Sequence, residues 1–288
     1  MFLRRLKFFF SAVTLRAFLR YFFFAIGALW LVVEVLNHFL KNKPWFEPIN
    51  DNLLTPFLGV ALLYAFVRSI PPLRYGRHLR GPNAQIEIVV GDLFATPSNI
   101  ALGCSDCYDT KAPDSVAPNS LIAQLVDRSY EGSPDTLDER IKQSLDAYNV
   151  TGAVDEGFTR GKKERFPVGT VAVVKAGARK VFLTVFSKAN HDKTTNTTQD
   201  DLWLSLSALW KVVRRDGGLE PIAVPVWGSG LALFNAARIS LIQIVLLSFV
   251  IATRERPVSR KLTLVIHEKD YDPEEMSEAI QLVNTLDF

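Results

Sequence analysis

Two stretches of this 288-residue chain combine residue types at a spacing that suits ligand chemistry. The first pairs an apolar run closing in Val90-Gly91-Asp92-Leu93 with a second run closing in Gly103-Cys104-Ser105-Asp106. Carboxylates at the ends of neighbouring strands accept hydrogen bonds from an adenine amino group or from ribose hydroxyls. A Gly-Asp pair after a strand also occurs as a plain turn. The second stretch is Val226-Trp227-Gly228-Ser229-Gly230-Leu231, after a β-branched run and before a helix that Asn235 could cap. Glycines let backbone come close to a ligand, and successive N–H groups there favour an anion such as a diphosphate. The alternative is a tight strand-to-helix turn that binds nothing.

Other motifs fail on spacing. Cys104 and Cys107 form a lone CxxC, and the four histidines (His38, His78, His191, His267) make no paired spacing with it, so no zinc site is expected. A deaminase would need an upstream HxE, which the chain lacks. Gly157 to Lys162 is one residue short of a P-loop and follows no strand pattern. Ser229 is flanked by Gly228 and Gly230, but Trp227 and Leu231 stand where a nucleophile elbow has its glycines. No Ser-His-Asp or paired-carboxylate arrangement emerges, so the cysteines are read as free thiols and the chain as a binder.

The elements that would position these groups alternate. Strands are expected at 86–90, 99–102, 170–175, 181–186, 221–226 and 262–267, and helices at 120–130, 136–148, 200–216, 235–253 and 273–286. That alternation predicts one α/β domain over 81–288, a sheet covered by helices on both faces. Leu241 to Ile251 is apolar apart from Gln243 and Ser248, which suits a buried helix better than a membrane span.

Charge is split along the chain. Residues 1–80 carry 11 basic and three acidic residues, whereas the remainder carries 22 basic and 27 acidic. The larger part therefore has no basic stripe for phosphates of a duplex, and nucleic acid is excluded as a partner. Tyr21 to Leu40 holds twenty residues with one carboxylate and no Lys or Arg. At 1.5 Å per residue that reaches about 30 Å, the thickness of a bilayer core. Leu53 to Ile70 is a second expected span, apolar until Arg68. Residues 1–80 thus read as an anchor with two transmembrane helices, about 21–40 and 53–70. A cleaved signal peptide fits less well, because the apolar region is long and no small-x-small site follows. Lys and Arg concentrate before the first span and after the second, which predicts both termini in the cytoplasm. Glu34, Asn37 and His38 fall on one helical face, where polar groups meet protein, water or the interface.

The order of these pieces resembles a macro domain, the module that binds ADP-ribose and its derivatives. A strand closing in Gly91-Asp92, a strand-end loop and the late glycine-rich Gly228-Ser229-Gly230 carry the resemblance. More closely, the chain resembles the divergent macro domain of the Thoeris anti-phage effector in its membrane-anchored, TM-macro form. The matching runs are Tyr108-Asp109-Thr110, Ala117-Pro118-Asn119-Ser120-Leu121, Phe166-Pro167-Val168-Gly169-Thr170, Pro225 to Leu231, and Leu262-Thr263-Leu264-Val265-Ile266.

The resemblance implies a macro-like three-layer α/β/α domain behind two transmembrane helices, and a signal receptor rather than an enzyme. It implies a TIR-domain partner that makes an ADP-ribose derivative, histidine–ADP-ribose for this effector type, with no other cofactor. It further implies homo-oligomerisation on activation and disruption of the lipid bilayer, in an inner-membrane, multi-pass protein. By position, Asp92 with the Leu93 N–H would hold adenine, and Ser105 and Asp106 would lie beside the distal ribose. Gly228, Ser229, Gly230 and Leu231 would cradle the diphosphate. Asp109 would either order the first loop or reach the extra group on the signal. Hydrolytic macro domains are similar to one another in a strand-end asparagine pair and a glycine-rich first loop. Here those places read Gly103-Cys104-Ser105-Asp106 and Cys107-Tyr108-Asp109, which points away from the alternative of an ADP-ribosylhydrolase. Ser105 stands where Asn is expected.

Overall fold

The computed structural model describes residues 12–40, 54–70, 72–81, 83–112, 115–159, 161–191, 194–228 and 237–286. The chain divides into two compact units, residues 1–73 with 272–276 and residues 74–271 with 277–288.

In the first unit, α1 (Ala12–Leu40) and α2 (Leu54–Ser69) pack on each other. Ala25, Val33, Ala61 and Ala65 are buried, and small side chains at such positions let helix backbones approach closely. Thr14–Leu36 of α1 is 23 residues at a mean hydropathy of 1.9. That length reaches about 34 Å and is sufficient for a bilayer. Phe23, Phe24, Trp30, Leu31 and Phe39 of this helix are all more than 60% exposed, so α1 is not a buried core helix. The second expected span is corrected: α2 has only 16 residues, about 24 Å, and falls short of the ~30 Å core. Its expected first residue, Leu53, lies outside the described residues. Among the described residues one helix, not two, is long and apolar enough to cross a membrane. Glu34 and His38 are exposed one turn apart on α1; the side chain of Asn37 lies outside the description.

The second unit is built on one sheet. Its strands are β1 (Arg74–His78), β2 (Gln85–Val90), β3 (Asn99–Ser105), β6 (Val171–Ala176), β7 (Arg179–Ala189), β8 (Thr195–Asn196), β9 (Ile222–Pro225) and β10 (Lys261–Ile266). β4 (Ala153–Val154) and β5 (Glu164–Arg165) form a separate two-stranded ribbon. The order is β1-β2-β10-β9-β3-β7-β6, with β8 added to the end of β7. β2, β10, β9, β3 and β7 run parallel, and antiparallel β1 and β6 close the two edges. Parallel strands must be buried on both faces, and their side chains alternate accordingly. Ile100, Leu102, Cys104, Val181, Leu183 and Val185 join the core under α3 (Leu121–Ser129) and α4 (Pro134–Ala147). The opposite face, with Phe182 and Thr184 buried, carries α5 (Gln199–Asp216) and α6 (Arg238–Glu255). There Trp210 meets Phe249 edge-on at 5.3 Å and donates Nε1–H to Ser248 Oγ at 2.9 Å. The expected mixed α/β arrangement, a sheet covered by helices on both faces, is what the chain adopts.

The helices start where side chains satisfy their orphan N–H groups. Ser120 Oγ accepts from Ala123 N, and Ser133 Oγ accepts from Thr136 N with Pro134 opening the helix. Thr198 and Asp201 form a reciprocal capping box on α5. α6 differs from expectation. It begins at Arg238 behind Ala237, which makes no side-chain cap, and Asn235 lies outside the described residues. The final helix, α7 (Pro273–Thr285), presents Asn284 Oδ1 to the Tyr75 hydroxyl of β1 at 2.6 Å. β1 itself falls inside the stretch read as anchor: its polar RYGRH pattern pairs through backbone with β2.

Candidate functional site

Asp92, Ser105 and Gly228 all sit at or just beyond the C-terminal ends of parallel strands β2, β3 and β9. In open α/β sheets that edge is where ligands bind. β10 runs between β2 and β9 and delivers His267 to the same edge.

Asp92 caps a single 3-10 turn, Leu93–Ala95, and its Oδ1 accepts the Phe94 N–H at 2.9 Å. The cap leaves the turn's first N–H, that of Leu93, without an acceptor inside the turn. Oδ2 pairs with Arg128 Nη1 of α3 at 2.5 Å. Burial pushes the Asp92 carboxyl up, but the Arg128 hydrogen bond, the Phe94 N–H and the Arg128 and His267 charges outweigh it. The carboxyl is held below its ordinary value. The Arg128 guanidinium also lies 5.1 Å from the Phe94 ring centroid, and Arg179 approaches the same ring at 5.9 Å. Asp92 is therefore ionised, half-exposed and flanked by cations.

The first loop is set by an irregularity between β3 and β7. Cys104 pairs with Val185, yet Ser105 pairs with Ser187, so Phe186 is an extra residue. Its ring lies where Gly103 has no side chain, since a Cβ there would sit 2.6 Å from two ring carbons. The same ring meets Trp227 at 5.7 Å between centroids. Trp227 is buried, its Nε1–H has no partner among the described residues, and Gly228 follows at φ +82. Phe186 and Trp227 thus form a floor beside the strand end of β9. Ser229, Gly230 and Leu231 lie outside the described residues.

Asp106 is nearly enclosed. Its Oδ1 accepts the Ala189 N–H at 2.9 Å, and its Oδ2 lies 3.2 Å from Arg165 Nε. Arg165 also donates to Cys107 Sγ at 3.0 Å and to Ala189 O at 2.5 Å, while stacking 4.5 Å above the Phe158 ring. Both Asp106 oxygens are thus engaged in holding the loop to β7 and β5. Tyr108 follows at φ +49, a conformation that costs of order 1–3 kcal/mol for a non-glycine residue. Its buried hydroxyl donates to Thr170 O at 2.9 Å and to Leu183 O at 3.3 Å, which fixes the strained backbone. Asp109 Oδ1 accepts the Lys162 N–H at 3.0 Å, and its carboxylate occupies the space that a Cβ on Gly161 would take. Lys162 Nζ donates to Tyr108 O and Asp138 Oδ1, each at 2.6 Å. Thr110 Oγ1 donates to the same Asp138 oxygen at 2.6 Å. Burial raises the Asp109 carboxyl above its ordinary value; Lys162 opposes the shift, and Asp138 and Asp106 add to it. Of the two roles open to Asp109, its visible contacts serve the loop.

Burial pushes both thiols up to about 12, at Cys107 with the help of the Asp106 and Asp109 charges. Neither is a nucleophile at neutral pH. Arg128, Arg165 and Asp138 were not singled out by sequence reasoning, whereas Tyr108 entered only within a matching run, Lys162 only in a rejected phosphate-loop pattern and His267 only in the search for metal ligands. The side-chain hydrogen-bond partners of Arg128, Arg165, Lys162 and Tyr108 lie 24 to 75 positions away in the chain, beyond any local pattern. A cleft of about 620 Å³ opens elsewhere, against edge strand β6 and α4, lined by Tyr130, Arg140, Ser144 and Lys175 among others. It contains none of the strand-end residues, and the glycine turn and carboxylates favour the strand ends as the binding edge.

A sequence model of the family described as Thoeris protein ThsA, Macro domain, matches residues 86–267. No curated protein matches the chain. Among solved structures, a variant of the Oceanobacillus iheyensis macrodomain with ADPR is similar at 16% identity and a TM-score of 0.51. The match covers 74% of this chain and 99% of that one. The same macrodomain with MES bound aligns at 14% identity and a TM-score of 0.50, over 74% and 98% of the two chains. These likenesses show the macro fold. The family match covers well over half of the chain, which therefore belongs to the Thoeris ThsA macro-domain family.

Proposed function

We propose that this protein is an anti-phage effector whose macro domain binds an ADP-ribose derivative at the ends of β2, β3 and β9. The observation that carries the reading is the convergence of Asp92, Ser105 and Gly228 on one edge of the parallel sheet in a chain of this family. Asp92 receives the adenine amino group on its ionised carboxylate, with the Leu93 N–H beside it. Ser105 and Asp106 flank the distal ribose. Asp106 does so mainly through the loop it holds, because it is nearly enclosed as well as bonded through both oxygens, whereas Asp92 stays open to solvent. Gly228, Ser229, Gly230 and Leu231 cradle the diphosphate with backbone N–H groups, which needs no basic patch in an acidic domain.

The signal in this reading is histidine–ADP-ribose, made by a TIR-domain partner. Binding drives homo-oligomerisation, and the N-terminal helical unit, inserted in the inner membrane through α1, disrupts the bilayer. The exposed apolar surface of α1 supports the membrane part, since that density of uncovered aromatic and aliphatic side chains calls for lipid or a partner. The protein binds without turnover. Incubating the full chain with histidine–ADP-ribose and with ADP-ribosylated protein tests this: saturable binding with no released product is expected, and catalytic release of ADP-ribose would overturn it.

A further inference from the structure

One end of the helical hairpin carries cations that no acid neutralises among the described residues. Arg16 and Arg20 are exposed one turn apart on α1, and like charges at that spacing oppose the helix. Arg68, near the end of α2, is exposed as well. Arg20 and Arg68 come from different helices yet share one ring: their guanidinium carbons lie 5.0 Å and 5.4 Å from the Tyr21 centroid. Tyr64 of α2 meets Tyr21 edge-on at 6.3 Å and holds it in place. Arg20 Nη2 also donates to the Tyr21 hydroxyl at 3.3 Å.

A guanidinium resting against a ring keeps edge N–H groups for an oxygen acceptor, and its rotamer freedom is already spent. Two such groups brought together without a carboxylate repel until an anion comes between them. Immediately beyond, Phe23 and Phe24 are 66% and 65% exposed. An anion that brings its own apolar tail covers both features at once.

We propose that Arg20, Tyr21 and Arg68 form a binding site for the phosphodiester headgroup of an anionic phospholipid, such as phosphatidylglycerol, whose acyl chains cover the Phe23–Phe24 surface of α1. Arg16 adds to the field. The site rests on the reading that the hairpin lies in a membrane, and it gives that hairpin a lipid class it prefers. The positive charge then acts as a defined contact rather than only as a bias on orientation.

The full chain is taken up from vesicles of equal phosphatidylglycerol and phosphatidylethanolamine, and retained lipids are counted by native mass spectrometry. A preference for the anionic lipid of roughly ten- to thirtyfold is expected from two interfacial arginines. Arg20→Gln with Arg68→Gln brings the ratio to near parity. Tyr21→Phe keeps the preference and Tyr21→Leu weakens it. Removing two charges elsewhere, with Lys142→Gln and Lys211→Gln, leaves it unchanged. Retention of the preference in the double arginine variant overturns the site. So does inorganic phosphate binding to the lipid-free chain in the absence of any lipid preference, which would make the ligand a free anion. Flotation with neutral phosphatidylcholine vesicles separates the two levels. A wild-type chain that fails to float on any vesicle refutes the membrane reading and this site together, whereas one that floats without discriminating headgroups refutes the site alone.

Discussion

At the scale of residues, two carboxylates near the binding edge carry opposite shifts, and each has a consequence. Asp92 is held below its ordinary value, so its contribution to stability is present above the unfolded carboxylate range and is lost as pH falls through the lower folded value. Asp109 is raised, so ionising it costs stability, and the cost grows as pH rises from the ordinary carboxylate value through the folded one. Asp109→Asn keeps an acceptor for the Lys162 N–H and removes the buried charge. Its melting temperature is expected to exceed wild type at pH 7 and to converge with it near pH 4; a variant less stable at pH 7 would contradict the account. Arg128→Gln frees Asp92 Oδ2 and the Phe94 face. It should leave the fold intact and change affinity for an ADP-ribose derivative, as read by calorimetry; unchanged affinity would remove Arg128 from the site.

At the scale of elements, the bulge between β3 and β7 sets the first loop. Gly103→Ala forces a methyl into the Phe186 ring, and overpacking of this kind costs about 1–3 kcal/mol. The expected result is a melting temperature several degrees lower, largely restored by adding Phe186→Leu; additive effects would show that the two residues do not share the space. Much of this layer was legible in the sequence. The β-branched runs and amphipathic helices pointed to the parallel strands and their cover, because each carries its own period. β1 was not legible: RYGRH lacks an apolar alternation and becomes a strand only by pairing with β2. The extension of β7 to Ala189 escaped notice for a similar reason, since the bulge at Phe186 breaks the period. At the site, Gly91-Asp92 and Gly228 were legible as strand-end turns. The Arg165 and Lys162 networks were not, because their partners come from distant segments. The second membrane span was over-read: apolar composition is visible in sequence, but the helix that forms among the described residues stops at 16 residues.

For the whole molecule, a family-matched macro domain and an apolar N-terminal helix are joined in one chain. The joining makes sense if a soluble signal controls an event at the membrane. The full chain should co-float with lipid vesicles, and replacing Phe23 and Phe24 with Ser should weaken flotation while leaving ligand binding unchanged. Loss of binding in that variant would mean the two units are not separable in function. The most direct measurement is the melting temperature of the full chain in detergent with NAD, ADP-ribose and histidine–ADP-ribose, alongside Asp92→Ala. A ligand present at about 100 times its dissociation constant adds about 2.7 kcal/mol, which appears as a shift of a few degrees in a chain this long. The account predicts that shift with histidine–ADP-ribose, a smaller one or none with NAD, and no shift in Asp92→Ala, whose far-UV circular dichroism stays that of wild type. No shift with any of the three ligands, or an equal shift in Asp92→Ala, would contradict it.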